Sequence, residues 1–130
     1  NSSSRVAITS DGKVLRAFSD EEATSYSIPD GVTTIAQRAF SELENLKSVD
    51  IPDSVQFITQ NAFEDSGLSS VVLPANIKVI DEYAFFFCQK LSSVGYKGEI
   101  YTSISKLEKA LKENGVIIGY HSFASTALAL

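Results

Sequence analysis

Two side chains in the sequence have the chemistry of a nucleophile and a base, Cys88 and His121. A thiol attacks carbonyls only when a neighbouring imidazole or positive charge lowers its pKa, and nothing in this spacing brings the pair together. Cys88 follows Phe85-Phe86-Phe87, which predicts a packed thiol, and His121 follows an apolar strand, which predicts a structural or exposed ring. Carboxylates adjoin at Asp20-Glu21-Glu22, Glu64-Asp65 and Asp81-Glu82. A glycosidase needs two of them across one groove, about 5–10 Å apart. Runs in loops or return segments predict solvated surface instead. There is no Gly-rich phosphate loop, zinc-ligand spacing or basic-aromatic stripe, and one cysteine with one histidine cannot furnish a Cys/His zinc site. The expectation is therefore no catalytic residue, no metal site, no cofactor and no enzyme activity.

The elements that hold these residues must come from one small domain. The chain has 130 residues, 44% of them hydrophobic, enough to bury a core without staples. A single cysteine excludes an internal disulfide framework. The net charge of −5 argues against nucleic acid and anionic membranes as partners. No apolar run approaches about 18 residues, so no membrane-spanning helix is expected. The N-terminal residues lack a charged segment followed by a long apolar one, so no signal peptide is expected within them. Without methionine in the sequence, residue 1 is not expected to be a translation start. Asn1-Ser2-Ser3 matches a glycosylation acceptor pattern.

Organisation comes from a repeat. Ile28-Pro29, Ile51-Pro52 and Leu73-Pro74 recur at steps of 23 and 22 residues. Each proline is followed by an isoleucine (Ile35, Ile58, Ile80) and then by an Ala-Phe pair (Ala39-Phe40, Ala62-Phe63, Ala84-Phe85). Leu46, Leu68 and Leu91 each precede a valine, at Val49, Val71 and Val94, and Val32, Val55 and Ile77 keep a further apolar place. The second repeat is one residue shorter, between Phe63 and Leu68, where Gly67 marks a turn. This period suits solenoids in which each unit, a short strand plus a return leg, buries its apolar face only against the next unit. Alternation sends Tyr26, Val49, Val71, Val94 and Ile28, Ile51, Leu73, Tyr96 inward. The exposed files are then Ser25, Ser48, Ser70, Ser93 and Ser27, Asp50, Val72, Gly95. Each proline ends its strand, because it has no N–H for the ladder.

The units ENLKSVDIPDSVQFITQNAF and SGLSSVVLPANIKVIDEYAFFFCQKLSSV resemble the BspA-type leucine-rich repeats, L-x-x-V-x-L-P-x-x-L-x-x-I-x-x-x-A-F-x-x-C, over about residues 26–96. Leu46, Val49, Ile51, Pro52, Val55, Ile58, Ala62 and Phe63 occupy the pattern in one unit. Leu68, Val71, Leu73, Pro74, Ile77, Ile80, Ala84, Phe85 and Cys88 occupy it in the next. The cysteine place holds Leu43 and Ser66 in the other units, which reads Cys88 as a core filler. The resemblance implies an extracellular or cell-surface protein of a host-associated microbe, with a host or matrix protein, or a glycan, as partner.

The predicted fold is an α+β solenoid filling one domain, 1–130, with an N-terminal β-hairpin cap (5–25), repeats (26–96) and a C-terminal helix-strand cap (97–130). Asp11-Gly12 marks the hairpin turn, with positive φ expected at both positions. In the unit after Val94, Lys97 replaces proline, Ile100 keeps a core place, and the Ala-Phe step is expected to fail. Ile104, Leu107 and Leu111 mark a helix over 104–114, with Ser105 and Glu108 as a capping box and Gly115 as its stop. Residues 116–120 read as a strand, and the apolar tail FASTALAL as a cap or contact segment. The candidate interaction face is Ser25, Ser27, Ser48, Asp50, Ser70, Val72 and Ser93, and Phe86 and Phe87 form a second patch. Three functions follow: a protein- or glycan-binding module, a structural spacer within a larger surface protein, and, least supported, a hydrolase using Cys88 and His121.

Overall fold

A computed structural model describes residues 5–130, so the Asn1-Ser2-Ser3 acceptor pattern lies outside the described residues. The chain begins with antiparallel strands β1 (Val6–Ile8) and β2 (Val14–Phe18). Four turns of a β-solenoid follow. Their first strands are β3 (Ser25–Ser27), β5 (Ser48–Asp50), β7 (Ser70–Val72) and β9 (Ser93–Tyr96). Their return strands are β4 (Thr34–Ile35), β6 (Phe57–Ile58), β8 (Val79–Ile80) and β11 (Ile117–Ile118). Between β9 and β11 lie β10 (Glu99–Tyr101) and one helix, α1 (Ile104–Glu113). Within the turns the strands pair in parallel, β2-β4-β6-β8-β11 on the return side, β3-β5 and β7-β9 on the other.

The repeat period becomes a stack because equal places in successive turns fall in register. Ile35 pairs with Ile58, Ile58 with Ile80, and Ile80 with Ile118. The prolines sit just past each first strand, where their carbonyls accept from Val32, Val55 and Ile77 N–H and reverse the chain. The phenylalanine of each Ala-Phe pair stacks on the next: Phe40–Phe63 at 4.9 Å, Phe63–Phe85 at 5.1 Å and Phe85–Phe123 at 5.3 Å between centroids, within 5° of parallel. Phe18 extends the stack at the N-terminal end, 5.2 Å from Phe40. Phe40, Phe63, Phe85 and Phe123 are all buried.

Each Ala-Phe corner turns on two residues in the left-handed region, Arg38 and Glu42, Asn61 and Asp65, Tyr83 and Phe87, His121 and Ser125. Such a residue costs about 1–2 kcal/mol. The conformation aims alternate N–H groups at the next turn, where Arg38, Phe40 and Glu42 donate to Gln60, Ala62 and Glu64 carbonyls. Asn61, Phe63 and Asp65 donate likewise to Glu82, Ala84 and Phe86. Two glycines serve close approach. A Cβ on Gly67 would lie 2.1 Å from Glu44 O, and one on Gly119 2.3 Å from Glu82 N.

Several expectations change. The Ala-Phe step does not fail in the last turn, because Ser122-Phe123 takes it after α1 has been inserted between the turn's two strands. The helix N-cap is Ser103, whose hydroxyl accepts from Lys106 N–H, and not Ser105. Only Ile117–Ile118 of the expected 116–120 strand is extended in a ladder. At the hairpin loop only Gly12 has positive φ. The Asp11 carboxylate accepts from the Thr9 hydroxyl and Lys13 N–H, which hold its pKa below the usual value. Lys97 and Gly98, both at positive φ, make a tight turn, so β10 runs back antiparallel along β9.

Truncating one member of the stack should therefore cost what a buried aromatic costs. Phe63→Ala is expected to lower the unfolding free energy in urea by about 3–5 kcal/mol, and Phe87→Ala, at a 40% exposed ring, by under about 1 kcal/mol. Equal losses at the two positions would contradict the packing register.

Candidate functional site

The outward side chains of the first strands form the candidate face. Register places Ser25 beside Ser48 and Ser27 beside Asp50, and the Ser27 hydroxyl donates to the Asp50 carboxylate at 2.9 Å. Ser70 lies beside Ser93 and Val72 beside Gly95. Ser25, Ser27, Ser48, Asp50, Ser70 and Val72 are exposed, whereas Ser93 is half-buried. The regular parallel ladder is interrupted between β5 and β7, although the two strands remain neighbours and Ser69 N–H donates to Lys47 O just before them. The interruption falls in the turn shortened by one residue.

Ile100 belongs to this face and not to the core. β10 places it opposite Gly95, where its Cδ1 and the Val72 methyls come within 3.3 to 3.7 Å of where a Cβ would be. Val72 and Ile100 thus cover a buried glycine while remaining 65% and 70% exposed themselves. The result is an apolar pair next to a serine-aspartate strip. The tight turn at Lys97-Gly98 is the sequence signal for this reversal, since Lys97 followed by Gly98 stands where the earlier turns have their proline and the residue after it.

Cys88 and His121 form no catalytic couple. The Cys88 thiol is buried, donates to Phe63 O at 3.0 Å and lies 3.3 Å from the Ser66 hydroxyl. His121 is exposed, with its ring stacked 3.8 Å from Tyr120. The acidic runs are engaged locally. Asp20 pairs with Arg5, Glu82 accepts from the Gln60 amide, Asp81 accepts from Glu82 N–H, and Glu64 accepts from the Asn61 amide. Among the described residues no three His, Cys, Asp or Glu side chains group as metal ligands.

The second patch is an aromatic corner. Tyr83 sits edge-on to Phe86 at 5.1 Å and to Tyr120 at 5.8 Å, and Phe87 contacts Phe86. Tyr83 and Tyr120, absent from the sequence-derived patch, enter because Tyr120 is aligned with Glu82 only once the inserted helix is skipped. A hollow of about 460 Å³ lies between β1–β2 and β3, lined by Val6, Ile8, Phe18, Ala23 and Tyr26 together with Arg5, Asp20 and, from the candidate face, Ser25. Burial raises the Tyr26 phenol above its ordinary pKa.

Burial likewise raises the Cys88 thiol above the ordinary value of 9.0, and the Ser66 hydrogen bond offsets this in part. Folding then favours the protonated thiol. Its stabilising effect is complete below pH 9.0 and is lost as pH rises from there through the folded-state pKa. Cys88 is expected to resist iodoacetamide in the folded chain and to react in denaturant. In urea titrations Cys88→Ala should lack this part of the alkaline loss of stability. Rapid alkylation without denaturant would contradict the buried placement.

A family model described as BspA type leucine rich repeat region matches residues 15–129 in 6 copies. No curated protein matches the sequence. A crystal structure of a leucine-rich repeat protein from Eubacterium ventriosum is similar at 15% identity with a TM-score of 0.43, covering 96% of this chain and 49% of that one. The chain thus spans about half the length of that protein. With the family match running from β2 through every stacked turn to the tail, the chain belongs to the BspA-type leucine-rich repeat family.

Proposed function

We propose that the chain is a non-catalytic recognition module that binds another macromolecule, a protein or a glycan of a host or matrix, through the outward face of its first strands. The observation that carries this reading is the composition of that face. Ser27 and Asp50 form a hydrogen-bonded polar strip, while Val72 and Ile100 stay exposed over Gly95. Hydroxyls both donate and accept, and an exposed apolar pair beside them gives a partner something to desolvate. Stacking needs only the inward residues, so it leaves these outward ones free to vary.

Family membership supports placing the module outside the cell or at its surface, and the fold is typical of interaction modules. Residues 1–130 act as one domain, with β1–β2 closing the N-terminal end and α1 with its neighbouring strand covering the C-terminal core. A rigid stack of this kind positions side chains from several turns on one surface without needing a deep pocket.

Replacing Ser48, Asp50 and Val72 together by lysine, glutamine and glutamate is expected to leave urea unfolding within about 1 kcal/mol of the parent. The same variant should lose the macromolecule that the immobilised parent captures from host proteins, matrix proteins and glycans. Undiminished capture by the triple variant would reject this face as the site.

A further inference from the structure

Helix α1 ends on Asn114-Gly115, the one place in the sequence where an asparagine precedes a glycine; Asn1, Asn45, Asn61 and Asn76 precede Ser2, Leu46, Ala62 and Ile77. That pair is the most open to spontaneous deamidation, because glycine has no side chain to shield its nitrogen from the neighbouring amide. In the reaction the Gly115 backbone nitrogen gives up its proton and attacks Cγ of Asn114. The Cγ–Nδ2 bond breaks, Nδ2 leaves as ammonia, and a five-membered succinimide joins the two residues. Water then opens either carbonyl of the ring and leaves aspartate or isoaspartate. One water enters and one ammonia departs, with no oxidant or cofactor.

The fold holds every participant away from that path. Asn114 is exposed and is the C-cap of α1. Its amide Nδ2 donates to Ala110 O at 2.9 Å, and its Oδ1 accepts from the Lys97 ammonium at 3.0 Å. Gly115 N–H, the group that must be freed to attack, donates to Lys112 O at 3.0 Å. At a ψ of 12° for Asn114 the Gly115 nitrogen is turned away from Cβ, whereas ring closure needs it beside the side chain. Lys97 is itself fixed, in the tight turn after β9 with its ammonium 5.9 Å from the centroid of the Tyr96 ring. The β9–β10 turn therefore clamps the end of the helix.

We infer that Asn114 is a modification site gated by the fold: closed while the last turn of α1 is intact, open to deamidation when that turn frays, with Lys97 as the positioning residue that keeps it shut. Both products change the helix end. Aspartate keeps Lys97 as an ion pair but loses the N–H that satisfies Ala110 O. Isoaspartate carries the backbone through the side chain and adds a methylene between α1 and β11, where Asn114 and Val116 N–H both donate to Leu111 O. Each turnover of the site thus loosens the helix that links β10 to the return strand. The site is distinct from the first-strand face and does not depend on it.

The test ages the intact chain in mildly alkaline buffer, with and without concentrated urea, and follows Asn114 by peptide mapping. Conversion, read as a gain of about 1 Da at that residue, is expected to be at least about tenfold slower in the folded chain than in urea. Lys97→Ala is expected to speed the folded-state reaction at least about threefold while leaving the rate in urea unchanged, and Lys97→Arg to restore the parent rate. Global unfolding of each variant, measured alongside in urea titrations, separates a loosened helix end from a loosened molecule. Equal rates in the folded chain and in urea, or no product at Asn114 in urea, would overturn the inference. So would an unchanged rate in Lys97→Ala, an increase that arginine does not reverse, or one that the rise in global unfolding fully accounts for.

Discussion

Register between turns is the constraint on which this molecule rests. No single turn has two layers to bury its own phenylalanine, and Phe40, Phe63 and Phe85 are each covered by the rings before and after them. Phe40, Phe63, Phe85 and Phe123 lie within 5° of parallel at about 5 Å, a spacing that matches the separation of hydrogen-bonded strands. The ladder therefore sets the spacing and the rings fill it. The left-handed corners serve the same end, because only that conformation turns alternate N–H groups along the stack. At the first three corners their conformational cost is offset by three hydrogen bonds donated to the next turn.

Function on such a scaffold is confined to what stacking leaves free. The inward files are committed to the core, and even the chemically reactive cysteine is used as packing, with its thiol donating to Phe63 O. The outward residues of the first strands are under no such demand. There the chain carries a hydrogen-bonded serine and aspartate beside an apolar pair, and the pair exists because β10 doubles back. The corners are free in a different way, with polar Gln60 and Asn61 in one turn giving way to Tyr83, Tyr120 and His121 in the later ones.

The helix shows how much a solenoid tolerates between its fixed points. Ile118 lies 38 positions after Ile80, yet the two pair in the same parallel register as Ile58 and Ile80. Leu107 and Leu111 bury the apolar side of α1 against the stack, so the insertion adds core in place of a loop.

The sequence by itself determined the repeat, its period, most places in the inward and outward files, and the helix within a residue of its end, while Ile51 of an inward file is half-buried and Gly95 of an outward file is buried. Each of these follows from local spacing, since alternation, proline position and a recurring Ala-Phe pair are read along the chain. It also indicated that Cys88 packs, from the aromatic run beside it. Only the tertiary structure decided where Ile100 points, that Ser122-Phe123 completes the fourth turn, and that the first-strand ladder breaks between β5 and β7. The physical reason is the same in each case. These outcomes depend on which segment lies against which across an insertion, a tight turn or a deletion, and one-dimensional spacing loses its phase there. A ring such as Phe123 joins the stack because Phe85 presents a face to it. Ile118 and Ser122-Phe123 keep the spacing of the earlier Ile and Ala-Phe places, but they lie a long step beyond Ile80, across α1, and only the pairing of Ile118 with Ile80 brings them into the stack.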